Sequence, residues 1–471
     1  MTTALASFRR CAGPVLFFLG GLLSLRVHAA SLTELWSARV KSVVAIEYYT
    51  ETESDRRPTI AYGTVIDRQG TIVLPPSAVD ARVPPKQLEQ FKVYLPGNPA
   101  GFAGTYLGQD VFTGLHYVRA EAKLADQLVP VTAWAVAGSP PAAMADEVWG
   151  IGLRNREEDF EPYILVSHVA IVQALPQRTA IAQQEVAGPG LPVFNRAGAF
   201  VGLAASSFGQ TYLEFSRMER SGTPIMLVDL EESSAFTLAA EVLPYLDRIP
   251  KNVYGRPLAW LGAYGLEPMD RDVANFLRLS SQSGAVVSEV LEDSPAEKAG
   301  MKDHDIIIAI DGKALPRFRP DRVVTDYVER EIERRRPGQV MALTVLRGPE
   351  RVELKARLGE EPKLIREAER KYFDRLGFTV REFVYGDAVA RRIKTSEGSG
   401  VVVSFVKPNG PTAIAGVGPE DWIKEIDGVP IKAFPEAVMK LSSIEADPSR
   451  NEFVLLVSHG SDTSILRIKL K

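Results

Sequence analysis

A stretch beginning Ser283-Gly284-Ala285-Val286-Val287 returns 116 residues later as Ser399-Gly400-Val401-Val402-Val403. At the same offset Pro295 matches Pro411, Ala299-Gly300 matches Ala415-Gly416, Asp305 matches Asp421, and Ile310-Asp311-Gly312 matches Ile426-Asp427-Gly428. So many identities at one offset mark a duplicated structural unit, and each copy must bury a core of its own. Each copy reads as a short apolar strand, a Pro-containing helical turn closed by Ala-Gly, a second strand (306–310 and 422–426) and an Asp-Gly turn. An amphipathic helix follows, over 321–336 in the first copy, where Pro337-Gly338 stops it, and over 435–443 in the second. Strand pairs at 340–347 with 352–357, and at 453–458 with 464–470, complete the copies.

Ahead of the repeated strand, Trp260-Leu261-Gly262-Ala263 and Arg375-Leu376-Gly377-Phe378 occupy equivalent places. With these loops, residues 257–359 and 373–471 resemble PDZ domains of the bacterial secreted type. The resemblance implies peptide binding. Consecutive backbone N–H groups of such a loop form a nest for a C-terminal carboxylate, glycine lets the peptide backbone approach, and the tail adds as a strand beside the next strand. It assigns the tail's last apolar side chain to a pocket lined by Ala263, Tyr264, Val328 and Ile332 in the first copy, and by Phe378, Val380, Val438 and Leu441 in the second. The competing reading is a tight Leu-Gly turn with those apolar residues in the core; the place of the motif within a complete repeat favours the groove. Residues 360–372 between the copies are charged and helix-prone, which predicts a semi-rigid helical linker without a binding motif.

Residues 30–245 carry many short strands separated by Gly and Pro, among them 43–48, 62–66, 71–74, 91–94, 115–120, 147–151, 166–174 and 200–205. That spacing predicts an all-β sandwich or barrel. Gly63-Thr64-Val65-Ile66-Asp67 with Gly70-Thr71-Ile72-Val73-Leu74, the run Glu147-Val148-Trp149-Gly150-Ile151-Gly152, and Gly198-Ala199-Phe200-Val201-Gly202-Leu203 resemble blocks of the HtrA/Deg family of trypsin-like serine proteases. The resemblance implies a mainly β chain: a trypsin-like double β-barrel over 30–245, a linker at 246–256 and two α+β PDZ-like domains at 257–359 and 373–471.

Trypsin-like hydrolysis needs a serine nucleophile, a histidine base, an aspartate that orients the histidine, and two backbone N–H groups for the oxyanion. Against the family's T-N-A-H-V-V, the run Leu74-Pro75-Pro76-Ser77-Ala78-Val79 puts Ser77 at the histidine. Against D-x-x-T-D-I-A, Asp110-Val111-Phe112-Thr113-Gly114-Leu115-His116 puts Gly114 at the aspartate. Against G-N-S-G-G-P, Ala187-Gly188-Pro189-Gly190-Leu191-Pro192 puts Pro189 at the serine. Shifting the alignment does not restore them, because no histidine lies between His28 and His116 and no serine between Ser167 and Ser206. Pro189 also lacks an N–H, and losing one oxyanion donor costs about 10²–10³ in rate. Loss of a whole triad costs on the order of 10⁶.

The expectation is therefore a pseudoprotease with no catalytic residues, which binds unfolded polypeptides and protein C-termini as a chaperone, scaffold or regulator. The alternative is an active serine endopeptidase of protein quality control using another constellation, such as Ser206 or Ser207 with His168. His116 and His168 read more simply as core or edge histidines of strands.

Composition sets the outer limits. The 471 residues carry 55 Lys+Arg against 59 Asp+Glu, a net charge of -4, which gives no electrostatic reason to bind nucleic acid. A single cysteine, Cys11, and five histidines exclude a disulfide framework and a Cys-rich zinc site, so neither metal nor cofactor is expected. Arg9-Arg10, the apolar run 11–25 and Val27-His28-Ala29-Ala30 follow the pattern of a secretory signal peptide over 1–29, cut after Ala29. The run is short of the roughly 20 residues that span a bilayer, which argues against the competing reading as an anchor. An exported protein of the periplasm or cell envelope is expected. The family resemblance further implies assembly through the barrels, as a homotrimer or mixed with an active relative.

Overall fold

The computed structural model describes residues 32–470 apart from 81, 136–141, 174–176, 209–211, 216–223, 228–232, 278, 280, 319–320 and 461, with the side chains of 32, 206–234 and 395 also left aside. The signal segment expected at 1–29, with Cys11, lies outside the described residues.

Two closed six-stranded antiparallel barrels form the first half of the chain. The first contains β1 (Val43–Glu51), β2 (Arg56–Val65), β3 (Thr71–Leu74), β4 (Leu88–Tyr94), β5 (Gly101–Gln109) and β6 (His116–Ala120), in the order β1-β2-β3-β6-β5-β4. The second contains β7 (Glu147–Leu153), β8 (Pro162–Gln173), β9 (Thr179–Ala182), β10 (Pro192–Asn195) and β11 (Phe200–Phe208). A separate hairpin of β12 (Tyr212–Phe215) and β13 (Pro224–Leu227) precedes β14 (Ser233–Leu238), which closes that barrel in the order β10-β11-β14-β9-β8-β7.

Successive side chains of a strand face opposite ways, and β1 uses both faces. Val44 and Ile46 point into the first barrel with Val65, Ile72, Leu74 and Val118. Val43 and Ala45 turn to a second cluster that joins Tyr117 of the first barrel to Trp149, Ile151, Phe194 and Phe236 of the second. This explains why Val43 to Ile46 read as a continuous apolar run. It also locks the barrels together beside the ends of β3 and β10.

PDZ-type β units follow. In the first, strands 267–268, 285–286, 306–310, 340–347 and 350–357 form one sheet, and Ala259–Trp260 and Ala263–Tyr264 make short ladders with Gly359–Glu360 and Glu289–Val290. Helix Val323–Glu333 buries Val324 and Val328 against that sheet. The second unit has strands 370–373, 378–382, 401–406, 422–426, 452–459 and 462–469 with helix Phe434–Ala446. The repeated Asp-Gly has the same cause in both copies. Asp311 and Gly312 take φ 49 and 74, Asp427 and Gly428 take φ 52 and 70, the left-handed pair of a tight hairpin turn. Each aspartate also accepts a backbone N–H at 3.0 Å, from Ala342 and Val454 respectively.

The helical linker expected over 360–372 is corrected. A 3-10 turn at Ile365–Glu367 and strand Arg370–Phe373 stand there instead. Pro362 alone would be tolerated in a first helical turn; Arg256 holds the segment in its turn by donating to the Pro362 carbonyl at 2.8 Å and to Glu367 at 3.0 Å. Tyr372 and Phe373 then find a strand partner in Phe378–Glu382.

Candidate functional site

The three positions that resemble a catalytic triad lie on loops that meet where the barrels join. After β3 the chain turns through Pro75-Pro76-Ser77, with Ser77 exposed. The loop between β5 and β6 is built on buried Asp110, whose carboxylate accepts the Thr113 N–H at 3.0 Å, the Thr113 hydroxyl at 2.8 Å and Arg248 Nε at 3.0 Å. That loop brings Gly114, at φ +71, so close to the first that an added Cβ would lie 3.0 Å from Pro76 Cγ. From the second barrel, the turn before β10 presses Gly190, at φ +85, against the first barrel. A Cβ there would sit 2.4 Å from the Tyr62 carbonyl oxygen and 2.5 Å from Pro75 Cδ. The Gly190 carbonyl accepts the Thr64 hydroxyl at 2.7 Å, and its N–H donates to Ala204 O at 2.9 Å.

Chemically, this junction holds a proline-lined wall. At the three triad-like positions stand an exposed hydroxyl, a glycine and a proline with neither hydroxyl nor N–H. His116 is 1% exposed, and its Nδ1 lies 2.8 Å from the Tyr106 hydroxyl. Burial pushes its pKa down to about 4, opposed by the Pro76 backbone, so the ring is neutral and packs as a core residue. His168 is exposed on β8, and Ser206 and Ser207 lie on β11. Whichever way round the barrel one counts, two strands separate β8 from β11.

The PDZ-type units place their expected groove residues differently. In the first, Leu261 is buried and Gly262 sits at φ +82, where a Cβ would come 2.2 Å from Ser294 Cβ. Ala263–Tyr264 pairs with Glu289–Val290, and among the described strands nothing covers its other edge. Tyr264 is 54% exposed there. Ile332 is half-buried, while Val328 is fully buried and supports the groove from the core without lining it, a correction. Trp260 packs edge-on to Tyr385 of the second unit at 5.5 Å.

In the second unit Leu376, Gly377, Phe378, Val380 and Leu441 are all buried and Val438 is half-buried. The Arg375 guanidinium donates to the carbonyls of Ile444 at 3.2 Å, Glu445 at 3.1 Å and Arg450 at 2.7 Å, which caps the end of helix Phe434–Ala446. The edge of Phe378–Glu382 that should receive a tail is paired with Arg370–Phe373. An uncovered edge therefore stands in the first copy, while in the second the chain's own strand lies along it. The alternation at Tyr372-Phe373, just ahead of the Leu-Gly motif, is the sequence signal that could have revealed this. A second feature without a sequence signal is Phe112, on the Gly114 loop, over which the guanidinium carbons of Arg248, Arg330 and Arg334 lie at 5.0, 4.7 and 5.6 Å from the ring centre.

Comparison with known proteins bears on this architecture. A family model for the PDZ domain matches residues 262–345. A DegP-like periplasmic serine endoprotease of Chlamydia pneumoniae is 25% identical over 204 residues, 43% of this chain and 39% of that protein. One from Pseudomonas fulva is 28% identical over 264 residues, 54% of this chain and 49% of that protein. The chain is homologous to HtrA/DegP-like serine endoproteases. The alignments of this HtrA-like chain span less than half the length of either relative. Among solved structures, the HtrA-type protease AlgW with a decapeptide superposes on the HtrA-like chain with a TM-score of 0.50, at 17% identity, covering 70% of this chain and 98% of that one. That likeness is one of fold.

Proposed function

We propose that this protein is an exported HtrA-like pseudoprotease that binds unfolded polypeptides and C-terminal tails, and acts as a chaperone, scaffold or regulator in the cell envelope. The observation that carries the reading is that the loops bearing Ser77, Gly114 and Pro189 meet at the barrel junction, with a serine, a glycine and a proline at the positions that resemble base, orienting acid and nucleophile. Two supports stand behind the binding half of the proposal. The Ala263–Tyr264 edge of the first PDZ-type unit is unpaired on one side, beside a Leu-Gly loop. The decapeptide named with AlgW supports a peptide as ligand class, and the periplasmic naming of the relatives supports export. The units concerned are the barrels over 30–245 and the PDZ-type units over 257–359 and 373–471, and assembly as a homotrimer or with an active relative belongs to the same proposal.

The test is to incubate the purified exported chain with unfolded casein and with a fluorophosphonate probe, alongside titration of apolar-tailed peptides. No casein cleavage, no labelled serine and saturable tail binding are expected. A labelled serine that disappears in Ser206→Ala or Ser207→Ala would overturn the reading.

A further inference from the structure

Strand Arg370–Phe373 of the second PDZ-type unit runs antiparallel to Phe378–Glu382, with Arg370 opposite Arg381, Lys371 opposite Val380, Tyr372 opposite Thr379 and Phe373 opposite Phe378. Helix Phe434–Ala446 packs against this strand, and Lys371 Nζ donates to Ser442 Oγ on that helix at 3.1 Å. Phe373 is fully buried in the core that holds Phe378, Val380 and Leu441, its ring centre 6.1 Å from that of Phe378. Its carbonyl oxygen accepts the N–H of Gly377, the glycine of the Leu-Gly loop, at 2.8 Å.

Each of these contacts is one that a captured tail makes. The segment adds as a strand, buries an apolar side chain at its loop end, presents an oxygen to the loop amide, and reaches the helix with the side chain two places earlier. The first unit shows the contrast. Its matching positions are Gly255-Arg256-Pro257-Leu258, with Gly255 at φ +72 and Pro257 lacking an N–H, so no such strand forms and the Ala263–Tyr264 edge stays uncovered.

We propose that Arg370–Phe373 is a built-in ligand of the second unit, and that the external ligand able to replace it is a C-terminal tail of the same chemistry: an aromatic last residue with lysine or arginine two places before it. The proposal rests on the tail-binding reading of these units and goes beyond it by assigning the second groove its own occupant and specificity. A tethered ligand acts at an effective concentration on the order of millimolar. A free tail must displace it, and its apparent affinity is reduced by the fraction of grooves left open.

The experiment uses the full exported chain and a fluorescent decapeptide ending Arg-Lys-Tyr-Phe with a free carboxylate and a photo-cross-linker, its attachment points mapped by mass spectrometry. Lys371→Gly with Tyr372→Gly loosens the built-in strand without touching the buried Phe373. This variant should attach the peptide at residues 378–382 and 434–446 and bind it at that unit at least tenfold more tightly than the parent chain, and the amidated peptide should lose the gain. Lys371→Cys with Ser442→Cys gives a second measure that does not depend on the glycine variant folding: oxidation should abolish attachment at the second unit and reductant should restore it. Equal binding by parent and glycine variant, or attachment unchanged by oxidation, overturns the inference. Attachment confined to the first unit in every chain sinks this inference and leaves tail binding standing, whereas no attachment anywhere sinks both.

Discussion

Arg381 and Asp387 of the second unit are each 1% exposed and joined by two contacts of 2.6 and 2.8 Å, and Asp387 also accepts the Val384 N–H at 2.9 Å. Removing Arg381 leaves the buried Asp387 with Arg391, at 3.2 Å, as its remaining cationic partner, and so takes away most of what offsets its charge. Arg381→Ala is expected to cost about 3 kcal/mol, read as a lower denaturation midpoint, whereas Arg381→Met combined with Asp387→Asn, which keeps an acceptor for the Val384 N–H, should recover most of it. A double variant as unstable as the single one would show that packing, and not the buried charge, sets the loss. His116 makes a pH-dependent contribution of the opposite kind. Its folded pKa of about 4 lies below the usual 6.5, so as pH falls the unfolded chain takes the proton first. The stability it contributes is complete above about pH 6.5 and is lost as pH falls towards 4, an effect of about 3 kcal/mol by the size of the shift. Urea unfolding at pH 7.5, 5.5 and 4.5 should show this limb in the parent chain and a flatter one in His116→Gln.

Among the elements, those with dense apolar alternation were legible, and β1, β3 and β7 stand where their residues put them. β5 was not. Gly101, Gly104 and Gly108 thin its apolar content, and it becomes a strand because β4 and β6 both offer it an edge. Residues 360–373 misled for the reverse reason: Lys, Arg and Glu favour a helix locally, yet an unpaired neighbouring strand won. The triad-like positions were legible as identities, through the resemblance alone; that Gly114 and Gly190 are wedged against the two prolines belongs to the three-dimensional packing. A test of that wedge follows. Gly190→Ala should destabilise the barrel junction by about 1–3 kcal/mol from its left-handed φ alone, with the Tyr62 and Pro75 clashes adding to it. Gly188→Ala, whose Cβ would meet nothing nearer than Leu191 Cδ1 at 3.7 Å, should leave the thermal midpoint unchanged. Equal midpoints for the two would refute the wedge.

Across the whole molecule, helix Val323–Glu333 has two roles. One face closes the first PDZ-type core through Val324 and Val328, and the other sets Arg330 over Phe112 on the loop that carries Gly114. A cavity of about 580 Å³ opens beside this contact, bounded by Asp110 and Phe112 from the first barrel, by Arg248 and Arg256 from the segment after the barrels, and by Glu333 and Arg334. Burial, reinforced by the nearby Glu329, raises the Glu333 carboxyl to about 7 from its usual 4.5. The sign is that of a group preferring its neutral form when folded: its stabilising contribution is complete below about pH 4.5 and is lost as pH rises through about 7. His116 is the same in the parent chain and in Glu333→Gln, so comparing their thermal unfolding between pH 4.5 and 8 isolates the carboxyl. Over that window the parent chain should lose stability relative to Glu333→Gln, which keeps the shape of the side chain without its charge. Parallel curves for the two proteins would mean that the junction accepts the ionised carboxylate at no cost, and that Arg330 and Arg334 already neutralise it.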